Sequence, residues 1–101
     1  MIIRGGENIA PAEIEQVLEE HENIAEAAVI GVEDNDWGEI IKAVVINSSD
    51  NEPSYDELTA FVKTKLASYK APASYEWVTD LPRNHMGKVL KNELRELYNK
   101  K

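Results

Sequence analysis

The segment Leu81-Pro82-Arg83-Asn84-His85-Met86-Gly87-Lys88-Val89-Leu90-Lys91 carries the strongest chemical signal in the chain. It sets Lys88 at the junction between a loop containing Pro82 and Gly87 and an amphipathic C-terminal stretch that reads as a helix. A lysine near a helix N-terminus faces the positive end of the helix dipole, so stability gives little reason to place it there. An ammonium on a loop tip suits a different task, meeting an anion supplied by something larger. The Gly87-Lys88 pair is not a phosphate-binding P-loop. That motif needs glycine where Pro82 stands and serine or threonine where Val89 stands. The plainer alternative is a glycine turn followed by a solvated surface charge. Residue types alone leave both readings open.

The other chemically suggestive groups are weaker. Gly5-Gly6-Glu7-Asn8 is either a substrate-facing loop or an ordinary glycine turn before a helix. It is not a dinucleotide fingerprint, since no G-x-G-x-x-G is present. The acidic turn over residues 33–39 lacks the order and spacing of a calcium loop. Trp37 is the odd residue in that polar turn: it either folds back onto the core or offers a flat ring to a ligand. His21 and His85 stand apart without paired ligand spacing, which argues against zinc. Without cysteine, disulfides, thiolate metal sites and cysteine nucleophiles are excluded, and a reducing compartment is compatible. A net charge of −8, from 19 acidic and 11 basic residues, argues against nucleic acid or an anionic membrane as partner. The apolar runs fall far short of a membrane span, and the N-terminus does not read as a signal peptide.

The elements that must position these residues are short. With 101 residues, 43% of them hydrophobic, the chain fits one small domain with one core. Pro11 suits the first turn of a helix over residues 11–21, with Ile14, Val17 and Leu18 at helical spacing and His21 at its end. Residues 25–32 read as a strand. Residues 39–47 read as a second strand, whose near-continuous apolar run predicts burial on both faces and a central place. A polar loop follows at 48–53. Ser54-Tyr55-Asp56-Glu57 is a capping box that opens a helix bearing Leu58, Phe61, Val62 and Leu66. The Tyr69-Lys70-Ala71-Pro72 segment ends that helix, because proline disfavours helical geometry in the residue before it. Residues 74–79 read as a third strand. The last helix runs over residues 89–98, burying Leu90, Leu94 and Leu97. The expectation is an α+β fold in the order loop–α–β–β–α–β–loop–α, a three-stranded sheet flanked by about three helices.

Taken in order, three groups of segments resemble one family. Met1-Ile2-Ile3-Arg4-Gly5-Gly6-Glu7-Asn8-Ile9 runs into Pro11-Ala12-Glu13-Ile14-Glu15. Ala27-Ala28-Val29-Ile30-Gly31-Val32 leads to Trp37-Gly38-Glu39. Tyr69-Lys70-Ala71-Pro72 is followed by Leu81-Pro82-Arg83-Asn84 and Gly87-Lys88. Together they resemble the C-terminal domain of adenylate-forming acyl-CoA synthetases of the fatty-acid or aryl-CoA ligase type. The superfamily also holds firefly luciferase and peptide-synthetase adenylation domains. The resemblance covers essentially the whole chain.

The resemblance implies a ligase with two steps. A small-molecule carboxylic acid attacks the α-phosphate of ATP, giving an acyl-adenylate and pyrophosphate, and the thiol of CoA then displaces AMP. It implies that residues 1–101 are a single mobile lid, that the N-terminal domain is its partner and the main holder of ATP, CoA and Mg2+, and that the location is cytoplasmic. Lys88, with Gly87, matches the lysine that contacts the reacting carboxylate and α-phosphate. Gly5, Gly6, Glu7 and Asn8 match the loop presented to the active site in the second step, where Gly6 leaves room for the pantetheine arm. Trp37 matches an aromatic that contacts CoA in some members, and Lys70 is a remaining basic residue on the CoA side. Ala71 and Ala73 depart from the pattern, standing where some members carry basic residues near the phosphates of CoA. Met1 matches an internal methionine of the family, so the chain resembles an excised piece that is inert alone. Two other readings stand beside this one: a stand-alone, non-catalytic interaction module, and the lid of a ligase that loads a carrier-protein thiol.

Overall fold

A computed structural model describes residues 2–48 and 52–99. The elements are β1 (Ile2–Arg4), β2 (Glu7–Ile9), α1 (Pro11–Glu19), β3 (Ile24–Asp34), β4 (Gly38–Asn47), α2 (Tyr55–Lys65), a 3₁₀ turn (Ser68–Lys70), β5 (Ser74–Val78) and α3 (Lys91–Asn99). The α+β class is as expected, but the sheet has five strands rather than three. The segment read as a leading loop is a hairpin, with Ile2 opposite Ile9 and Arg4 opposite Glu7. Strands of three residues show no periodicity in sequence. They persist here because Ile2 and Ile9 are buried in the core and Arg4 pairs with Gly38 of β4.

β4 is central, as its apolar run predicts. β3 pairs with it antiparallel along one edge, from Glu26↔Ile46 to Asp34↔Gly38, and β5 pairs with it in parallel on the other. Side chains alternate across the sheet. Val29, Ile41, Ala43 and Val45 face α1 and α2, where Ile14, Leu18, Leu58 and Val62 are fully buried. Ala28, Ile30 and Val44 face the opposite side, covered by Leu81 and by Leu94 of α3. Burying one such aliphatic side chain contributes ~1.5–3 kcal/mol, so both layers are strongly held.

The edge of β3 is closed by side chains. Its outward N–H groups at Ala27, Val29 and Glu33 donate to Glu19 Oε2 (3.1 Å), Glu15 Oε2 (2.8 Å) and Asn99 Oδ1 (2.7 Å). That blunts an edge otherwise open to pairing with another chain.

Ser54 caps α2 as expected, its Oγ accepting the Glu57 N–H at 3.1 Å. Several ends differ. α1 stops at Glu19, so His21 lies beyond it, with Nδ1 accepting the Asn23 N–H. α2 stops at Lys65, and Leu66 is extended before the 3₁₀ turn. α3 begins at Lys91 because Val89 is taken by a bridge to Arg83. Leu97 is 63% exposed rather than buried, since the sheet face under α3 is already covered by Leu94 and Tyr98. Of the polar loop expected at 48–53, residues 49–51 lie outside the described residues, as does Met1.

Candidate functional site

The loop that carries Lys88 is stitched to itself by one side chain. Asn84 Oδ1 accepts from the N–H groups of Met86 (2.9 Å) and Lys88 (3.0 Å). The Asn84 N–H donates to the Lys88 carbonyl and its carbonyl accepts from Gly87 N–H, both at 2.9 Å. The Arg83–Val89 bridge and a 2.7 Å bond from Leu90 N–H to the Pro82 carbonyl close the base. Gly87 completes the turn at φ +85°, in the left-handed region that favours glycine. Nothing would crowd a Cβ there, so its role is conformational.

Lys88 is exposed, and its ammonium has no ion-pair partner among the described residues. Lys42, Lys65, Lys70 and Lys91 each sit against a glutamate instead. In an acidic domain, a lysine left free on a rigid loop can meet a phosphate or carboxylate without first breaking a bond. A groove of about 630 Å³, lined by Asn84, Lys88, Leu90 and Asn92 among others, opens beside it.

The glycine loop makes a second centre. Gly5 and Gly6 turn the β1–β2 hairpin at φ +55° and +86°. Gly5 N–H donates to the Trp37 carbonyl at 2.9 Å, and a Cβ on Gly5 would lie 2.8 Å from Trp37 Cε3. The Arg4 guanidinium lies 4.4 Å from the centre of the Trp37 ring. Trp37 is thus pinned at the surface rather than folded into the core, and it stays 48% exposed. Its own turn is shaped by Asp34, whose Oδ2 accepts from Asp36 N–H (3.0 Å) and Trp37 N–H (2.9 Å). Glu39 ties the hairpin to β4 through a 2.9 Å bond from Ile3 N–H, and Gly31 leaves space for that carboxylate. Gly5, Gly6, Glu7 and Asn8 are exposed on one hairpin turn, and Trp37 lies against Gly5, so the structure brings Trp37 to this predicted loop.

Lys70 does not join that group. Its ammonium donates to Glu13 Oε1 at 2.9 Å, and this hydrogen bond raises its pKa above the ordinary lysine value. Lys88 and Gly87 are also elsewhere. Their loop is anchored at Glu26 and the Trp37 turn at Asp34, eight positions apart on β3, which is roughly 26 Å of strand. The two candidate centres occupy opposite ends of the β3–β4 hairpin.

Residues 13–88 match the family described as the AMP-binding enzyme C-terminal domain. The chain belongs to this family. It is 46% identical over 97 residues to a fatty acid–[acyl-carrier-protein] ligase from Streptomyces coeruleorubidus, covering 96% of this chain and 19% of that one. It is 47% identical over 98 residues to a feruloyl-CoA synthase from an Amycolatopsis species, covering 97% and 20%. ATP-bound MatB from Rhodopseudomonas palustris superposes with a TM-score of 0.92 at 40% identity, covering 97% of this chain and 20% of that structure. The chain spans about a fifth of the length of the curated relatives it matches.

Within this AMP-binding enzyme C-terminal domain, the contacts that hold the two centres were not apparent from residue types. Glu26 on Arg83, Glu39 on Ile3 and Arg4 on Trp37 join residues far apart in sequence. Asn84 was legible in principle, because an Asn followed at three residues by Gly is ordinary turn chemistry. Among the described residues no cluster of three His, Asp or Glu could hold a metal ion, and no helix is long and apolar enough to cross a membrane.

Proposed function

We propose that residues 1–101 act as the mobile C-terminal lid of an AMP-forming acid–thiol ligase, working against a larger N-terminal domain in the cytoplasm. The observation that carries this is the free ammonium of Lys88 on a self-bonded loop, at the opposite end of the hairpin from the Gly5-Gly6 turn and Trp37. The loops are anchored on β3 at Glu26 and Asp34, ~26 Å of strand apart, and so sit at different ends of the hairpin; each serves its own half-reaction and the domain turns between them.

In the first half-reaction a carboxylate displaces pyrophosphate at the α-phosphate of ATP. The Lys88 ammonium stabilises the negative charge shared by the reacting carboxylate and the phosphoryl oxygens, without exchanging a proton. Asn84 and Gly87 hold the backbone from which that ammonium projects. In the second half-reaction the thiol of CoA displaces AMP. The side-chain-free Gly6 leaves a path for the pantetheine arm, and Trp37 offers an apolar ring beside it. Glu7 and Asn8 line the same turn. Lys70 takes part only by exchanging Glu13 for a phosphate of CoA. Mg2+ belongs with the N-terminal domain, together with most contacts to ATP.

The similarity to a ligase named for an acyl-carrier protein favours a second acceptor, a carrier-protein thiol. Full-length enzyme that loads a carrier protein and ignores free CoA would select it.

The test is Lys88→Ala in a full-length ligase carrying this domain. Carboxylate-dependent pyrophosphate release should fall ~100- to 1,000-fold, as for loss of one transition-state donor. Transfer from a supplied acyl-adenylate to CoA should survive. Near-normal adenylation in the variant refutes the assignment.

A further inference from the structure

We propose that Glu26, acting through Arg83, is a positioning residue for Lys88, an inference that rests on the adenylation role given to Lys88 above. The bonds made by Asn84 stiffen the loop internally, but none of them fixes it to the sheet. Leu81 and Val89 pack the two ends of the loop onto the sheet, and the Arg83 guanidinium adds the polar, oriented tie. It forks onto both oxygens of Glu26, with Nη1 at 2.8 Å from Oε2 and Nη2 bonded to Oε1. Its Nε lies 3.6 Å from Asp80 at the start of the loop, and Nη1 also reaches the Gly87 carbonyl at 3.5 Å. One side chain therefore touches the entry of the loop, the residue before Lys88, and the sheet.

The strand is shaped to offer that carboxylate. Ile24 and Ala27 lie in the same core layer although they are three positions apart, because the register of β3 shifts between Ile24 and Glu26. Such bulges re-aim a side chain. Glu26 thereby meets Arg83 with both side chains only 30% exposed. A planar fork in that setting fixes orientation as well as distance, which a single ammonium contact does not. A second tie, Lys91 to Glu15, holds the start of α3 beyond the loop but does not touch the turn itself.

Reactivity is steep in position: a misplacement of ~1 Å can cost 100-fold in rate. The tests are Glu26→Gln, Arg83→Gln and the double variant in a full-length ligase, with Lys88→Ala alongside. Adenylation kcat should fall ~10- to 100-fold in Glu26→Gln with the KM for ATP little changed. Thioester formation from a supplied acyl-adenylate should stay at the wild-type rate. The double variant should lose no more than either single one, since both remove the same contact. Arg83→Lys should recover activity only in part, because an ammonium cannot fork. Parallel loss of both half-reactions with a lowered melting temperature would show a structural contact and overturn the proposal. So would full adenylation in Glu26→Gln where Lys88→Ala abolishes it. If Lys88→Ala itself adenylates normally, the underlying reading fails and takes this one with it.

Discussion

Gly5→Ala gives a quantitative test of how the glycine turn and Trp37 are built into one unit. Two costs add at Gly5. The first is backbone strain: an L-residue at φ +55° costs ~1 kcal/mol. The second is overlap, because the new methyl would lie 2.8 Å from Cε3 and 3.0 Å from Cζ3 of Trp37. Relieving that overlap costs ~1–3 kcal/mol by analogy with overpacked cores. Moving the ring also weakens its contact with Arg4 at 4.4 Å, worth ~0.5–1 kcal/mol. Gly6 is the internal control. It has φ +86° and nothing within 4 Å of the place a methyl would take, so Gly6→Ala bears the backbone cost alone. The hairpin cannot relax by fraying, because Ile2 and Ile9 are buried in the same core as Ile14 and Leu18. Gly5→Ala should therefore be less stable than Gly6→Ala by ~2 kcal/mol, a difference in Tm of about 8–16 °C for a domain of this size. Thermal unfolding followed by far-UV circular dichroism measures it, and Trp37→Ala should remove most of the difference. Equal losses in the two glycine variants, or a Gly5→Ala loss indifferent to Trp37, would refute the reasoning.

The other expectations concern single side chains. Lys88→Ala should leave the melting curve of the domain within ~0.5 kcal/mol of wild type, since Lys88 is exposed and unpaired among the described residues. Activity loss accompanied by unfolding would instead make Lys88 structural. Ser54→Ala removes the bond to Glu57 N–H and should cost ~1 kcal/mol in denaturant unfolding; no change would mean that water replaces the cap. Burial raises the pKa of the Tyr75 phenol above 10.0, although its 2.7 Å hydrogen bond with Thr59 opposes this. The folded state then keeps a proton that the unfolded chain has lost. The stability tied to that proton is complete below pH 10 and is lost as pH rises through the folded value. Burial raises Tyr98 in the same direction, so tyrosinate absorbance should show a late step from both residues, and Tyr75→Phe should remove the Tyr75 share; an unchanged curve in that variant would refute it.

Much of the frame was legible in the amino-acid sequence. The spacing of Ile14, Val17 and Leu18, the Ser54 cap and the unbroken apolar run of β4 encode elements over windows of a few residues. Backbone propensity and burial act over those same windows, so pattern alone recovers them. The order of the motifs also singled out Lys88, Gly87 and the Gly5-Gly6 turn as the candidate site residues. The short strands β1 and β2 were not, because three residues carry no period and the pairing of Arg4 with Gly38 supplies what the local chain lacks. The start of α3 was displaced by the Arg83–Val89 bridge, a tertiary competitor for residues that would otherwise extend the helix. Most of all, sequence could not say which charges are spent and which are free. Lys70 meets Glu13 and Arg83 meets Glu26 across 57 positions, while Lys88 meets no acidic partner among the described residues. Ion pairing depends on distances that only the folded sheet sets. The residue types of the two centres were therefore determined by sequence, while their separation to opposite ends of the β3–β4 hairpin was decided by tertiary structure.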